Sequence, residues 1–572
     1  MPIHLSRWTV CLAMPLAAGV LLTACSRADL QHSSKTTPQL SEAISATDAV
    51  GMPIPAPVMA SEPQAMRHNM QAKMIGMMPP MPYPAAEPNR EQYQKTQENA
   101  VKSTQADAIS TLSLDVDTGS YTNVRRMINQ GQLPPADAVR IEEFLNYFRY
   151  QDPAPRGPHP FSVNTELATS PWTANNLLLR IGVKAVDVKA ADQPPANLVF
   201  LVDVSGSMND REKLPLAQAS LKLLTQRLRP QDRVSMVVYA GRTAVELPST
   251  TGDHKAEILA AIDRLTAGGS TNGEAALKLA YQQAEAHKIT GGINRILMMT
   301  DGDFNVGVSN IDDIKAMIAK AREGGISLST LGFGQGNYNE ALMEQVADVG
   351  NGNYSYIDGL DEAKKVLSDE LSATFNTVAK DVKLQLEFNP AVIKEWRLIG
   401  YENRVLNEQD FKNDKIDAAE VGAGKSVVAL YELTPVGQTG LLAERRYGDA
   451  DKTKVANKKS AKTDELGFLK VRYKQPNGQT STEFSVPIAA RMGTLPSNDM
   501  TFAAAVAGYG QLLNNSAYAG QWSYAKSAML AKQSLGKDAE GYRQGFVKLV
   551  ELTDALAQSN QVQPNPVSPT AQ

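Results

Sequence analysis

The sequence predicts an α/β protein: a doubly wound, Rossmann-like domain over residues 196–375, flanked on both sides by strands of a β-sandwich and followed by a helical segment. Three observations carry this. First, NLVFLVD (197–203), RVSMVVYA (233–240), RILMMTD (295–301) and GISLSTLGF (325–333) are continuous apolar runs, as suits parallel strands covered on both faces. Second, amphipathic stretches lie between them. Leu214, Ala217, Leu221, Leu224 and Leu228 step by three and four, which keeps them on one helix face. Third, alternating strand candidates bracket this region: FSVNTELATSPW and NLLLRIGVKAVDV precede it, and VKLQLEFN, EWRLIGYEN, SVVALYELTP, GFLKVRYK and TEFSVPI follow. Strands on both sides predict one sandwich with the α/β domain inserted into it.

The elements follow in chain order. At 572 residues the chain exceeds one core, and length alone suggests about three or four domains. The start, MPIHLSRWTVCLAMPLAAGVLLTAC, has a basic Arg7, an apolar run of signal-peptide length and small residues before Cys25. The run is too short for a comfortable membrane span. Its end, Leu22-Thr23-Ala24-Cys25, resembles a bacterial lipobox. The resemblance implies a signal peptide at 1–24, cleavage before Cys25 and acylation of that cysteine, hence a lipid anchor in the bacterial cell envelope. Ser26, rather than Asp, after the cysteine points to the outer membrane. The chain's other cysteine, Cys11, lies in the signal, so the mature protein carries no disulfide and no Cys-ligated zinc.

Residues 25–105, dominated by Pro, Ala, Ser, Gln and Met, read as a disordered tether that cannot bury enough apolar surface to offset ordering entropy. Its cluster of Met66, Met70, Met74, Met77, Met78 and Met81 near His68 suits Cu(I), but flexible linkers accumulate Met without any metal. An N-terminal flanking domain is expected at 106–195, with helical spacing at Val139, Ile141, Phe144, Leu145 and Phe148 before its strands. Beyond the α/β domain come a β-rich flanking domain at 376–495, containing the Lys-rich insert DKTKVANKKSAKTDE, a helical segment at 496–558 and a disordered tail at 559–572. Ser309 with Asp312 reads as the capping box of one α/β-domain helix. Lys and Arg number 57 against 61 Asp and Glu, for a net charge of −4, and no basic stripe suggests nucleic acid.

Two short motifs dissolve on inspection. Gly422-Ala423-Gly424-Lys425-Ser426 lacks the P-loop's first glycine, since position 419 is Ala419, and a strand rather than a helix follows; it reads as a hairpin turn. Asp117-Thr118-Gly119 has no second copy to form a carboxylate dyad, and Arg126 stands where a calcium loop needs Glu; it reads as a turn before a helix.

The stretch VFLVDVSGSMND (199–210) is different, because Asp203, Ser205 and Ser207 follow a buried strand directly. As a nucleophile, either serine needs a base, yet the folded chain offers only His159, His254 and His287, and there is no Gly-x-Ser-x-Gly elbow. As a metal cradle the stretch fits better. Asp203 lies at the carboxyl edge of the sheet, where open α/β folds place ligands. Thr271, in Gly-Gly-Ser-Thr-Asn before a helix, and Asp301, after RILMM, reach the same edge. All five are hard oxygen donors, suited to Mg²⁺, Mn²⁺ or Ca²⁺.

In order and spacing, Asp203-x-Ser205-x-Ser207, Thr271 and Asp301 resemble the metal-ion-dependent adhesion site of the von Willebrand factor type A (VWA) domain family. The resemblance implies that Ser205, Ser207 and Thr271 contact the ion, that Asp203 and Asp301 bind directly or through water, and that a partner protein's Asp or Glu completes the coordination. The loops around Asn209, Thr271 and Asp303 would shape specificity. STLSLDVDTGSYTNVRRMINQGQLPPADAVRIEEFLNYF (110–148), DGDFNVG (301–307), EVGAGKSVVALYEL (420–433) and the helical C-terminus are similar to bacterial VWA lipoproteins with characteristic flanking domains. The expected function is therefore metal-dependent protein binding and not catalysis. The competing classes are an envelope scaffold with a vestigial site and a metal-dependent hydrolase.

Overall fold

The computed structural model describes residues 90–270, 273–302, 311–443 and 464–561. Residues 1–89, with Cys25 and the Met cluster, Ser309, positions 451–463 of the Lys-rich insert and the tail beyond 561 lie outside the described residues.

The four apolar runs form the heart of a six-stranded sheet. Its order is Tyr354–Ile357, Ser327–Phe333, Ile293–Thr300, Ala196–Asp203, Arg233–Tyr239, Thr243–Thr251, all parallel except the last. Alternate side chains of the central strand serve opposite faces. Leu198, Phe200 and Val202 pack with Ala217, Leu221 and Leu224 of helix Leu214–Arg227. Val199 and Leu201 pack with Ala276, Leu277 and Ala280 of helix Gly273–Ala286. Covering both faces is what makes these strands apolar throughout. The chain leaves Ala196–Asp203 toward Arg233–Tyr239 and later returns to its other side, to Ile293–Thr300. Connections therefore diverge at the carboxyl ends of Asp203 and Thr300, opening a crevice there.

The flanking strands pair across the insertion. One sheet runs Lys102–Ser103, Ile393–Ile399, Ser426–Pro435, Leu177–Ala185, Phe161–Thr169; the other runs Val405–Leu406, Ile109–Ser113, Thr377–Phe388, Glu465–Lys474, Ser481–Ala489. Both combine strands from before and after the α/β domain, and their inner faces share one core. In Glu465–Lys474, Leu469, Val471 and Tyr473 are buried while Lys470, Arg472 and Lys474 alternate with them, the period of a strand with one covered face. The Gly422–Ser426 segment is the expected turn: Gly422 pairs with Thr377, Gly424 has φ of 76°, and Ser426 opens the next strand.

Two expectations need correction. Residues 106–195 do not stand as a unit. Their strands belong to the sandwich, and helices Gly119–Asn129 and Ile141–Asn146 share a core with Asn498–Leu513 and Tyr542–Gln561, which runs past the expected end at 558. The reason is area: each short helix has an apolar stripe that neither covers alone, and Phe148 meets both Phe502 and Phe546 edge-on. The tether also ends earlier than 105. Gln92 donates its backbone N–H to Tyr338 and accepts from Glu340, Glu91 pairs with Arg126 at 2.9 Å, and Lys102–Ser103 is a strand. These contacts are polar and main-chain, so no apolar period announced them.

Buried charge joins the inserted domain to its base. Arg140 reaches Glu143, Glu340 and Glu344 at 3.3–3.7 Å, and Arg404 reaches Asp115, Asp117, Glu344 and Asp348 at 2.7–3.4 Å. Asp117 is thus more than a turn, since it also accepts the backbone N–H of Tyr354 at 2.8 Å. Carboxylates outnumber guanidiniums here, and burial raises several of them. Desolvation, with Glu402 and Asp115 adding to it against Arg140, pushes Glu142 up to about 8; desolvation likewise lifts Glu344 to about 7. An acid protonated in the fold but ionised in the unfolded chain stabilises fully below its unfolded value of 4.5, and that contribution is lost as pH rises through 7–8. Thermal midpoints should therefore decline from pH 5 to pH 8. Glu142→Gln, which keeps the acceptor for Tyr401 N–H, should flatten the decline; an unchanged slope in calorimetric scans would refute it.

Candidate metal centre

The site is built where the two neighbouring strands stop. Asp203 is fully buried at the end of its strand, and both its oxygens are fixed: Oδ1 accepts the Ser205 backbone N–H at 2.9 Å and Oδ2 accepts the Thr300 hydroxyl at 3.0 Å. That first bond turns the chain sharply, so Ser205 and Ser207 come to the same side with their hydroxyls 3.0 Å apart. Ser205 is buried, while Ser207, Asn209 and Asp210 are exposed, so the constellation opens to solvent. Burial pushes the Asp203 carboxyl up to about 6, partly offset by Ser205 and increased by the charge of Asp301.

Asp301, also fully buried, begins the loop after Thr300. Its Oδ2 accepts from Lys213 Nζ at 2.9 Å and from Asn337 Nδ2 at 3.1 Å. The chain up to residue 270 is tied to this edge by main-chain bonds: Gly268 N–H donates to Val204 at 2.8 Å, and Gly206 N–H donates to Gly269 at 3.0 Å. Residues 268–270 are thereby stitched to the loop that carries the serines. Thr271 itself, with Asp303, lies outside the described residues. The structure thus gathers Asp203, Ser205, Ser207 and Asp301 at one crevice.

These donors fit a hard divalent cation. They are two carboxylates and two neutral hydroxyls at a solvent-open edge, and among the described residues no group of three His, Cys, Asp or Glu forms an alternative. The histidines lie in other settings: His159 bonds Tyr473 in the sandwich, and His254 precedes helix Lys255–Asp263. Three residues of the centre escaped sequence reading. Thr300 orients Asp203 while accepting the Gly302 N–H, and Lys213 and Asn337 hold Asp301. Thr300 was adjacent to the motif; nothing in the sequence marks Asn337, 36 positions from its partner.

A sheet of this order with these oxygens at its switch point defines a VWA domain, and the family model for the von Willebrand factor type A domain matches residues 197–369. A von Willebrand factor model matches 87–180, and one described as "Uncharacterized protein YfbK, C-terminal" matches 373–556. The chain is 50% identical over 484 residues to the Uncharacterized protein YfbK of Escherichia coli (strain K12), covering 83% of each, and it belongs to that family of VWA proteins. It is also 32% identical over 163 residues to human Inter-alpha-trypsin inhibitor heavy chain H4, covering 27% of this chain and 17% of that one. Among solved structures, a von Willebrand factor type A protein from Catenulispora acidiphila aligns at 15% identity and TM-score 0.39, covering 69% of this chain and 91% of that one. Proximal thread matrix protein 1 from the mussel byssus, with a zinc-occupied MIDAS motif, aligns at 20% identity and TM-score 0.26, covering 33% and 46%.

The loop stitching makes a demand on one residue. Gly269 has φ of 88°, and a Cβ there would sit 2.6 Å from the Gly241 nitrogen. Gly269→Ala should therefore cost more than about 1 kcal/mol in urea unfolding. A neutral result would show that the loop is not held this way.

Proposed function

We propose that this protein is a lipid-anchored, metal-dependent protein-binding module of the bacterial envelope, working in adhesion or assembly. The observation that carries the reading is the convergence of Asp203, Ser205, Ser207 and Asp301 on a solvent-open crevice. With Thr271, these residues would hold Mg²⁺, Mn²⁺ or Ca²⁺. The ion supplies an electrophilic point for an anionic oxygen. Hydroxyl ligands bring no charge, so few protein carboxylates neutralise the ion, and a partner's Asp or Glu completes the shell. Among the described residues no histidine is bonded to either serine, whose hydroxyls bond each other, which supports binding over hydrolysis. Acylation at Cys25 and the following chain would place the module at a distance from the membrane, in the outer membrane by the Ser26 criterion.

Two measurements test this. Mg²⁺ or Mn²⁺ at a hundredfold over Kd should stabilise the wild type by about 2.7 kcal/mol, and Asp203→Ala with Ser205→Ala should abolish the effect. An equal shift in the double variant would assign the ion elsewhere; no shift in the wild type would leave a scaffold. For the anchor, Cys25→Ser should move the protein from the detergent phase to the aqueous phase in phase partitioning. Retention in the detergent phase would remove the lipid from the reading.

A further inference from the structure

Lys213 occupies a seat made for it. It directly precedes helix Leu214–Arg227, yet its side chain is only 9% exposed, unusual for a lysine ten residues past a strand end. Its ammonium donates to Asp301 Oδ2 at 2.9 Å and to Asn337 Oδ1 at 3.0 Å, and Asn337 uses its own amide to donate to the same Asp301 oxygen at 3.1 Å. The three side chains form a closed ring of polar contacts. The aliphatic stem is housed too. Gly334 has φ of 72°, and a Cβ there would overlap the Lys213 stem, while the Gly334 carbonyl is held by the Tyr356 hydroxyl. A glycine in the left-handed region against the stem, and an asparagine aimed by two bonds and a buried carboxylate at the ammonium, all converge on one lysine side chain. A lysine serving only solubility would need none of them.

We propose that Lys213 is a built-in counter-cation of the metal centre, setting how strongly the centre holds its ion and how strongly the bound ion seeks an anion. The inference rests on the metal-binding reading above. With Asp203 and Asp301 ionised, the two carboxylates contribute −2 and Lys213 returns +1, so the centre presents −1 to a divalent cation. The loaded centre then carries +1, where it would be neutral without the lysine. Buried charges interact through a low effective dielectric, so one unit matters. The lysine also gives Asp301 a standing partner, which favours its bonded position over a move into the ion's coordination shell. Lys213 thus acts through Asp301, as a positioning residue that selects a carboxylate-bearing partner over a neutral one.

The test is Mn²⁺ binding by isothermal titration calorimetry with wild type, Lys213→Gln and Lys213→Met, each checked for folding by circular dichroism. Gln keeps a donor toward Asp301 and removes the charge; Met removes both and matches the stem. The expected result is at least about tenfold tighter Mn²⁺ binding in both variants. In EDTA their thermal midpoints should fall below wild type, and Mn²⁺ should raise them by more than it raises wild type. Equal or weaker Mn²⁺ affinity in a folded Lys213→Gln protein would overturn the counter-cation. Binding by both variants and not by wild type would support it in its strongest form, with the ammonium outcompeting the ion. Absence of Mn²⁺ binding in all three proteins would instead sink the metal reading itself, and this inference with it.

Discussion

Arg140 and Arg404 hold this molecule together. Each guanidinium is shared between carboxylates of the inserted domain (Glu340, Glu344, Asp348) and carboxylates of the flanking region (Glu143 for Arg140, Asp115 and Asp117 for Arg404). Charges taken out of water are tolerated only when paired, and losing one partner costs about 3–5 kcal/mol. The inserted domain therefore cannot swing from its base without stranding several buried ions. Arg125, bridging helix Gly119–Asn129 to Asp358 and Glu362, and Glu370, bridging Lys365 to Lys425, extend the seam. Electrostatics lowers Glu370 well below the usual carboxylate range, since Lys365, Lys425 and Arg149 outweigh its burial. The seam thus sets carboxyls whose proton affinity is raised by burial, Glu142 and Glu344, beside Glu370, whose proton affinity its cations lower.

A rigid seam decides how the metal centre is presented. The loop from Gly334 to Asn339 carries Asn337 at the centre, and the chain entering from the N-terminal side is bonded along the same loop, Arg90 to Gly336 and Gln92 to Tyr338. Glu91 accepts the Gly336 N–H while pairing with Arg126, so the loop is fixed from the flanking region as well as from within the sheet. The two carboxylates of the crevice are pre-oriented, Asp203 by Ser205 and Thr300 and Asp301 by Lys213 and Asn337. Pre-organisation of this kind reduces the ordering cost that any ligand must meet.

Much of this was legible because it obeys local periods. Runs such as NLVFLVD report burial on both faces without reference to any neighbour, and the Leu214 to Leu224 spacing reports a helix face, so the central sheet and its covering helix followed directly. Asp203, Ser205 and Ser207 were legible because one turn brings them together. What stayed hidden is non-local and polar. Asp115 and Asp117 looked like turn residues because their partner, Arg404, is nearly three hundred positions away. Residues 90–105 looked like linker because their anchors are main-chain bonds and single charges, which leave no composition signal. Lys213 stands in plain view beside the motif, but a lysine before a helix is ordinarily solvated. Only the positive φ of Gly334 and the reach of Asn337 reveal that this one is housed.

The choice of hydroxyls at this centre then acquires a physical sense that composition alone does not supply. Four carboxylates around a divalent ion would hold it tightly and leave it satisfied, a buffer rather than a contact. Serines place the ligand oxygens without adding charge, and they can do so only because Thr300 and the Ser205 backbone immobilise Asp203 behind them. The ammonium of Lys213 works in the same direction from the Asp301 side. Neutral ligands in front and a cation behind both withhold charge from the ion. Under the proposed reading, an ion here would be held by geometry more than by electrostatics, and a carboxylate delivered from outside would complete its shell. On that reading the seam beneath the centre would keep the open coordination position in one place.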